Sequence, residues 1–173
     1  MKTVKISSGK YRGQSILTPD SVSTHPMGSR EKLALFNMVS DLLPGARVLD
    51  AFAGSGALGI EAISRGATEV VFIEKDRKAC EIISKNLKKI GLGAEVFRGD
   101  VDSFITDQKF DLIIADPPYD RFEIDLLQHV SSFVKSGGFL VLSHPNDAPT
   151  LSSFDLIKTK RYASAHLSVY AKR

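Results

Sequence analysis

The chain has a single cysteine in 173 residues. A lone thiol cannot close an internal disulfide, which excludes a stapled scaffold and fits a reducing cytosol. No apolar run approaches the roughly 20 residues of a membrane span. The opening segment, M-K-T-V-K-I-S-S-G-K, lacks the apolar stretch of a secretory signal. A cytoplasmic location is therefore expected. Histidine is scarce, and His25, His129, His144 and His166 show no ligand spacing, so no metal is expected. No Ser/His or Cys/His grouping suggests a nucleophilic triad. Cys80 has no Cys or base beside it and reads as core. Repeats and low-complexity segments are absent. What is present is enough chain for one domain that buries roughly 70% of its unfolded surface, with a monomer as the default.

Charge is unevenly spread. Residues 1–47 carry seven Lys/Arg against three Asp/Glu, residues 48–155 eleven against seventeen, and residues 156–173 five against none. An acidic body with basic ends suits a polyanion held at its edges, although terminal lysines also serve merely to solvate a chain.

The organising stretch is V-L-D-A-F-A-G-S-G-A-L-G-I-E-A-I-S-R-G-A, from Val48 to Ala67. A short apolar run ends at Asp50, a small-residue turn follows, and apolar residues then recur at helical spacing from Leu58. Strand, glycine turn and helix make a nucleotide pocket, because glycine lets a ligand touch backbone and the helix aims free N–H groups at it. Gly54-x-Gly56-x-x-Gly59 matches the dinucleotide fingerprint, and Glu74 stands at its ribose-binding offset. Asp50, four residues before Gly54, tilts the reading toward S-adenosylmethionine, whose amino group a carboxylate can hold. A tight turn with no ligand stays open at this point.

Residues 3–18 read as two short strands around Gly9-Lys10-Tyr11-Arg12-Gly13. Lys10, Tyr11 and Arg12 ride at the tip, where cations beside an aromatic suit a phosphate backbone and a stacked base. The alternative is a plain exposed turn. Residues 19–28 form a loop. Ser29 then caps a helix to about Leu42, with Leu33, Phe36, Val39 and Leu43 inward, and with Arg30, Lys32 and His25 facing outward or toward the cofactor mouth.

Strands and helices alternate afterwards. Strands are expected at 46–52, 69–74, 94–98, 110–115 and 139–143, with a final antiparallel pair at 156–160 and 166–171. Helices are expected at 76–90, briefly at 102–107, and at 122–135, the last ended by Gly137-Gly138. Such alternation predicts an α/β fold, a mostly parallel seven-stranded sheet covered on both faces, with an antiparallel C-terminal strand and an N-terminal β-hairpin. The whole chain forms one domain, residues 1–28 being a basic extension and 29–173 the catalytic core. A ligand belongs across the C-terminal strand ends, where Asp50, Glu74, Asp100 and Asp116 all fall. Glu74 can accept both ribose hydroxyls. Asp100 can take the adenine amino group while Val101 packs on the ring. Asp50 sits near the methionine moiety. Asp76 and Asp102 look like helix caps, which frees the strand-end acids for other work.

Asp116-Pro117-Pro118-Tyr119 carries the chemistry. The prolines fix the backbone, so the Pro117 carbonyl is expected to face the pocket. An exocyclic amine has two N–H donors and a lone pair delocalised into its ring. Asp116 and the Pro117 carbonyl can accept those two bonds and free the lone pair for attack on a methyl group. Tyr119 offers a face for the base.

Asp50-x-x-x-Gly54-x-Gly56 with Asp116-Pro117-Pro118-Tyr119 resembles the class I, Rossmann-like amino-methyltransferases. More particularly the chain resembles the RsmD family of bacterial 16S ribosomal RNA guanine-N2 methyltransferases. Gly9-Lys10-Tyr11-Arg12-Gly13 is similar to that family's G-K-W/Y-R-G turn, residues 49–62 to its cofactor loop, and Leu35-Phe36-Asn37 to the L-F-N of its first helix. The family's R-P-T-x-D-R before that helix is here His25-Pro26-Met27-Gly28-Ser29-Arg30. The resemblance implies S-adenosylmethionine held by Asp50, Phe52, Gly54, Gly56, Glu74, Lys75, Asp100 and Val101. It implies Asp116, Pro117 and Tyr119 as the catalytic set and Lys10, Tyr11, Arg12, Arg30 and Pro118 as substrate contacts. The implied substrate is 16S rRNA in the small ribosomal subunit, its guanine held out of the stack. His25, Lys158, Lys160 and Arg161 are further candidates for RNA contact. The competing readings are an amino-methyltransferase of DNA or of a protein glutamine, and a non-catalytic RNA-binding or nicotinamide-binding module.

Overall fold

The structure is a computed structural model and describes residues 1–19, 27–162 and 165–173. Among the described residues, nine strands and four α-helices position the site. Strands β1 (Lys2–Lys5) and β2 (Ser15–Thr18) pair antiparallel, Val4 opposite Ile16. The main sheet contains β3 (Arg47–Asp50), β4 (Glu69–Glu74), β5 (Glu95–Arg98), β6 (Phe110–Ala115), β7 (Val134–His144), β8 (Phe154–Arg161) and β9 (His166–Lys172). Its order is β5-β4-β3-β6-β7-β9-β8, with β9 antiparallel to both neighbours and the first five strands parallel. The helices are α1 (Ser29–Met38), α2 (Ala57–Ser64), α3 (Arg77–Lys89) and α4 (Ile124–Ser132).

The apolar runs of β3, β4 and β6 feed two cores, because successive strand side chains point to opposite faces. Val48, Val70, Phe72, Leu112 and Ile114 pack with α1, α2, α3 and the hairpin. Leu49, Val71, Ile73 and Ile113 pack with α4 and the segment after β5. Ile6 and Ile16 belong to the first core. The N-terminal hairpin is thus part of the domain's packing rather than an appendage.

Four local expectations differ. Ser29 is the first residue of α1 rather than its cap, Gly28 caps it without a side-chain bond, and the helix stops at Met38, followed by a 3-10 turn at Ser40–Leu42. Leu33 is 47% exposed, while Leu35, Phe36 and Val39 are buried. At 3.6 residues per turn, Leu33 lies about 200° round the axis from Leu35 and misses that stripe. After β5, the 3-10 turn Val101–Ser103 is capped by Asp100, whose Oδ1 accepts the Val101 N–H at 2.9 Å; Asp102 is not the cap. Finally, α4 ends at Ser132 and Gly137-Gly138 lie inside β7. Val134 pairs with Phe110 while Phe139 pairs with Leu112, leaving a bulge between them. A Cβ on Gly138 would come within 3.0 Å of the Asp111 carbonyl, so the double glycine lets this bulge hug β6.

Candidate active site

A cleft of about 1080 Å³ opens across the C-terminal ends of β3 to β6. Its walls come from the loop after β3 (Ala51–Ser55), from Glu74-Lys75-Asp76, from Gly99-Asp100-Val101, and from Asp116–Asp120 with Ser143 of β7. Met27, Gly28, Glu31 and Lys32 close one side. Pockets for a single small molecule run to roughly 1,000 Å³, so this cleft has room for a nucleoside cofactor and part of a second ligand.

The glycine loop is built as its sequence implies. Gly54 has φ +54°, and a Cβ there would meet nothing, so its backbone faces the open cleft. Gly56 has φ +79°, but a Cβ would press on Ile83 and Phe72. Gly56 makes the turn and faces the core; unlike Gly54 it does not line the cleft. A Cβ on Gly59 would lie 2.2 Å from the Phe72 ring, so this glycine lets α2 sit close on the sheet.

Asp50, expected near the methionine moiety directly or through a water, is not on the cleft wall. It is 1% exposed, does not line the cleft, and its Oδ2 accepts the Gly59 N–H at 2.8 Å. The carboxylate holds the start of α2 from beneath. Burial pushes its pKa up to about 7 against the Gly59 hydrogen bond, and the charges of Asp116 and Glu74 push the same way as burial.

Glu74 lines the cleft, yet Oε2 accepts the Gly54 N–H at 2.8 Å and Oε1 the Asp76 N–H at 2.7 Å. A carboxylate has about four acceptor positions, so lone pairs remain for hydroxyls. Phe52, Lys75, Asp100 and Val101 also line the cleft. Asp76 caps α3 as expected, accepting from Ala79 N–H at 2.8 Å. Cys80 is buried as core, its thiol donating to the Glu74 carbonyl at 3.2 Å.

Asp116, Pro117, Pro118 and Tyr119 line the same cleft. Burial raises the Asp116 pKa to about 6, and a hydrogen bond from Ser143 works against that rise. The Tyr119 hydroxyl lies 3.1 Å from the Ser143 hydroxyl, and the tyrosine is 40% exposed. At neutral pH Asp116 is mainly the acceptor carboxylate.

Of the expected substrate contacts, Pro118 lines the cleft, whereas Lys10, Tyr11, Arg12 and Arg30 do not. Lys10, Tyr11 and Arg12 sit at the C-terminal end of α2, while the cleft is at its N-terminal end. Lys10 N–H donates to the Ser64 carbonyl at 2.7 Å, and Tyr11 N–H to the Ser64 hydroxyl at 3.0 Å. A Cβ on Gly9 would lie 1.8 Å from that carbonyl, so the turn's glycine answers to docking on α2. Arg30 is exposed and outside the cleft wall, whereas Lys32 is part of it. Lys158, Lys160 and Arg161 lie on the edge strand β8, with Arg161 3.2 Å from Asp147. His25 is outside the described residues.

Two polar anchors escaped the sequence reading. Glu61, 1% exposed, accepts from Ser7 N–H (2.9 Å), Ser7 Oγ (2.7 Å), Ser8 N–H (3.0 Å) and Arg65 Nε (2.9 Å), with Lys32 Nζ at 3.3 Å. Its hydrogen bonds to Ser7 and Arg65 and the Lys32 charge outweigh burial and hold its pKa low. The buried Asn86 accepts from Leu17 N–H (2.7 Å) and donates to Leu17 O (2.9 Å) and Ser55 O (3.1 Å). Each stood out as a polar residue on an otherwise apolar helix face. Ser143 gave no such signal, being one serine among many.

The sheet order, the glycine loop and the tetrapeptide together define a class I, Rossmann-like methyltransferase. Within that class, the chain belongs to the family described as Conserved hypothetical protein 95, which matches residues 4–171. Ribosomal RNA small subunit methyltransferase D of Escherichia coli (strain K12) is 34% identical over 140 residues, covering 79% of this chain and 69% of that protein. The solved structure of yhhF from Escherichia coli superposes with a TM-score of 0.89 at 27% identity, covering 99% of both chains. The Thermus thermophilus 16S rRNA N2 G1207 methyltransferase RsmC, solved with AdoMet and guanosine, has a TM-score of 0.71 at 24% identity. It covers 99% of this chain and 50% of that one, and speaks for the fold alone.

Proposed function

We propose that this protein transfers a methyl group from S-adenosylmethionine to the exocyclic N2 amine of a guanine in 16S rRNA. It does so in the cytoplasm, as a monomer, on RNA of the small ribosomal subunit. One observation carries the reading: Asp116-Pro117-Pro118-Tyr119 lines the same cleft as the loop after β3, Glu74, Asp100 and Val101. The relatives' naming for ribosomal RNA favours that substrate over DNA or a protein glutamine.

The residues fit the cofactor. Gly54 leaves an open backbone face, Glu74 retains acceptor sites for ribose hydroxyls, and Val101 and Phe52 supply apolar surface for an adenine ring. Bound S-adenosylmethionine supplies an electrophilic methyl on a sulfonium. Asp116 and the Pro117 carbonyl accept the two N–H bonds of the guanine amine, which localises the nitrogen lone pair for attack. Tyr119 stacks on the base. Fixing the two reactants in line is the largest lever, up to roughly 7–11 kcal/mol, and the oriented acceptors add to it.

The test is methylation of small subunits, and of naked 16S rRNA, from cells lacking the modification, with the methylated atom mapped. Methyl on guanine N2 is expected, and Asp116→Ala is expected to cut turnover on the order of 10²–10³ with cofactor affinity little changed. Near-normal turnover in that variant, or a methyl on another atom, sinks the reading. Calorimetry on Glu74→Ala is expected to show weakened cofactor binding; an unchanged Kd removes the ribose role.

A further inference from the structure

Asn86 lies on the inner face of α3, fully buried, and meets two segments distant in the chain. Its Oδ1 accepts the Leu17 N–H at 2.7 Å, and its Nδ2 donates to the Leu17 carbonyl at 2.9 Å. Leu17 belongs to β2 of the N-terminal hairpin. A carboxamide carries the same kinds of donor and acceptor as a peptide unit, so Asn86 pairs with β2 as a neighbouring strand would. Its second Nδ2 proton goes to the Ser55 carbonyl at 3.1 Å, inside the glycine loop. Ser55 lines the cleft; neither Asn86 nor Leu17 does.

The Ser55 carbonyl depends on that donor. In a regular α-helix it would receive the N–H four residues on. That N–H belongs to Gly59 and goes to Asp50 instead. Asn86 takes its place. At the other side of the same loop, Glu74 accepts the Gly54 N–H at 2.8 Å. Beneath it, Ile83 stands where a Gly56 side chain would go. Ile83 and Asn86 are three residues apart on α3 and share one face. Two bonds to Leu17 fix the plane of the amide, and that orientation aims the third bond at Ser55. Asp at this position would turn an oxygen on the two carbonyls, and an aliphatic side chain would offer them nothing.

We infer that Asn86 is a positioning residue for cofactor binding: oriented by β2, it fixes the Ser55–Gly56 peptide, so one side chain couples the hairpin to the loop that faces the cofactor. This rests on the cofactor reading proposed above. Without Asn86 the Ser55 carbonyl has no helical donor to fall back on. The peptide turns toward water, and the open backbone at Gly54 is held less firmly. Ordering it again on binding costs cofactor affinity. Coupling of this kind is reciprocal, so a ligand that orders the loop also tightens the Asn86–Leu17 pair.

The experiment compares wild type, Asn86→Ala and Glu61→Ala. It measures S-adenosylhomocysteine Kd by calorimetry, kcat at saturating S-adenosylmethionine, and amide hydrogen exchange by NMR. Asn86→Ala is expected to raise Kd on the order of tenfold, the scale of one buried hydrogen bond, with kcat at saturation within about twofold. Glu61→Ala loosens the hairpin at its Ser7-Ser8 end and is expected to leave Kd within about twofold, so lost stability alone does not move the readout. In the wild type, S-adenosylhomocysteine is expected to slow exchange of the Leu17 N–H several-fold and to leave the Ser7 and Ser8 N–H groups as they were. That arm needs no variant and decides the matter if Asn86→Ala does not fold. An unchanged Kd in Asn86→Ala, an equal rise in Glu61→Ala, or Leu17 exchange that slows no more than that of Ser7 and Ser8 overturns the inference. A wild type that binds no S-adenosylhomocysteine overturns the cofactor reading and the inference with it, so the two failures are told apart.

Discussion

Helix α2 has two ends that meet opposite demands. At its C-terminal end, Glu61 is surrounded by donors: two serine N–H groups, a serine hydroxyl, Arg65 and Lys32. Every charge there is answered, and the carboxylate is held below its usual pKa. At its N-terminal end, Asp50 has the Gly59 N–H and lies among like charges. Burial, with Asp116 and Glu74 adding to it, raises its pKa to about 7. The first arrangement binds the hairpin to the body and leaves nothing for a ligand. The second concentrates negative charge behind an open cleft, which costs stability and leaves acceptors for a cationic cofactor and an amine. Function gathers where the protein has not satisfied itself.

The contrast can be broken in graded steps. Glu61→Ala is expected to have the largest effect, about 3–5 kcal/mol of stability in urea titration, because Arg65 and Lys32 are left beside a buried gap. Cofactor affinity at a permissive temperature should stay within about twofold. A loss under about 1 kcal/mol would show that the hairpin docks by apolar packing alone. Asp116→Ala should show the reverse pattern, with turnover lost and melting temperature unchanged or higher.

Asp50→Asn sharpens the comparison through pH. The folded protein holds a proton on Asp50 that the unfolded chain releases between about pH 4 and 7, so this residue's contribution declines as pH rises through that window. Asn keeps an acceptor for Gly59 without the charge. The variant is expected to gain on the wild type by a few kcal/mol from pH 4 to pH 7 and to change no further above. Glu61 has the opposite sign: its contribution is whole above its unfolded pKa of 4.5 and is lost as pH falls through the lower folded value. A pH-independent difference between Asp50→Asn and wild type would contradict the account in which burial, helped by the neighbouring charges, keeps a proton on Asp50.

The smallest effect is expected for Lys10→Ala with Arg12→Ala. Both lie at the far end of α2, so RNA KM should rise less than about threefold and kcat should hold. A tenfold rise would show that the RNA reaches round to the hairpin turn.

Much of this was legible in the chain. The runs at 69–74 and 110–115 read as buried strands and are β4 and β6 to the residue. Asp76 read as a cap and is one. Local chemistry decided these cases. Errors came where a distant partner decided. Gly137-Gly138 looked like a helix stop, but pairing of Val134 with Phe110 drew that segment into β7. The seating of the G-K-Y-R-G turn on α2, with Gly9 against the Ser64 carbonyl, was likewise not readable from the turn itself. The bond from the Gly59 N–H to Asp50, nine residues back along the chain, was not readable locally either.

The sequence by itself determined the alternation of strand and helix, the glycine turn and the acid-proline-proline-tyrosine wall, because each depends on side-chain periodicity or on backbone limits within a few residues. Tertiary structure alone decided which polar groups remain available. Glu61 and Glu74 are both acids in the same fold, and only the partners brought from 54 and 20 residues away distinguish an anchor from a cleft residue. Hydrogen-bond capacity is a finite property of each atom, and how much of it is spent is fixed only when the chain has closed on itself.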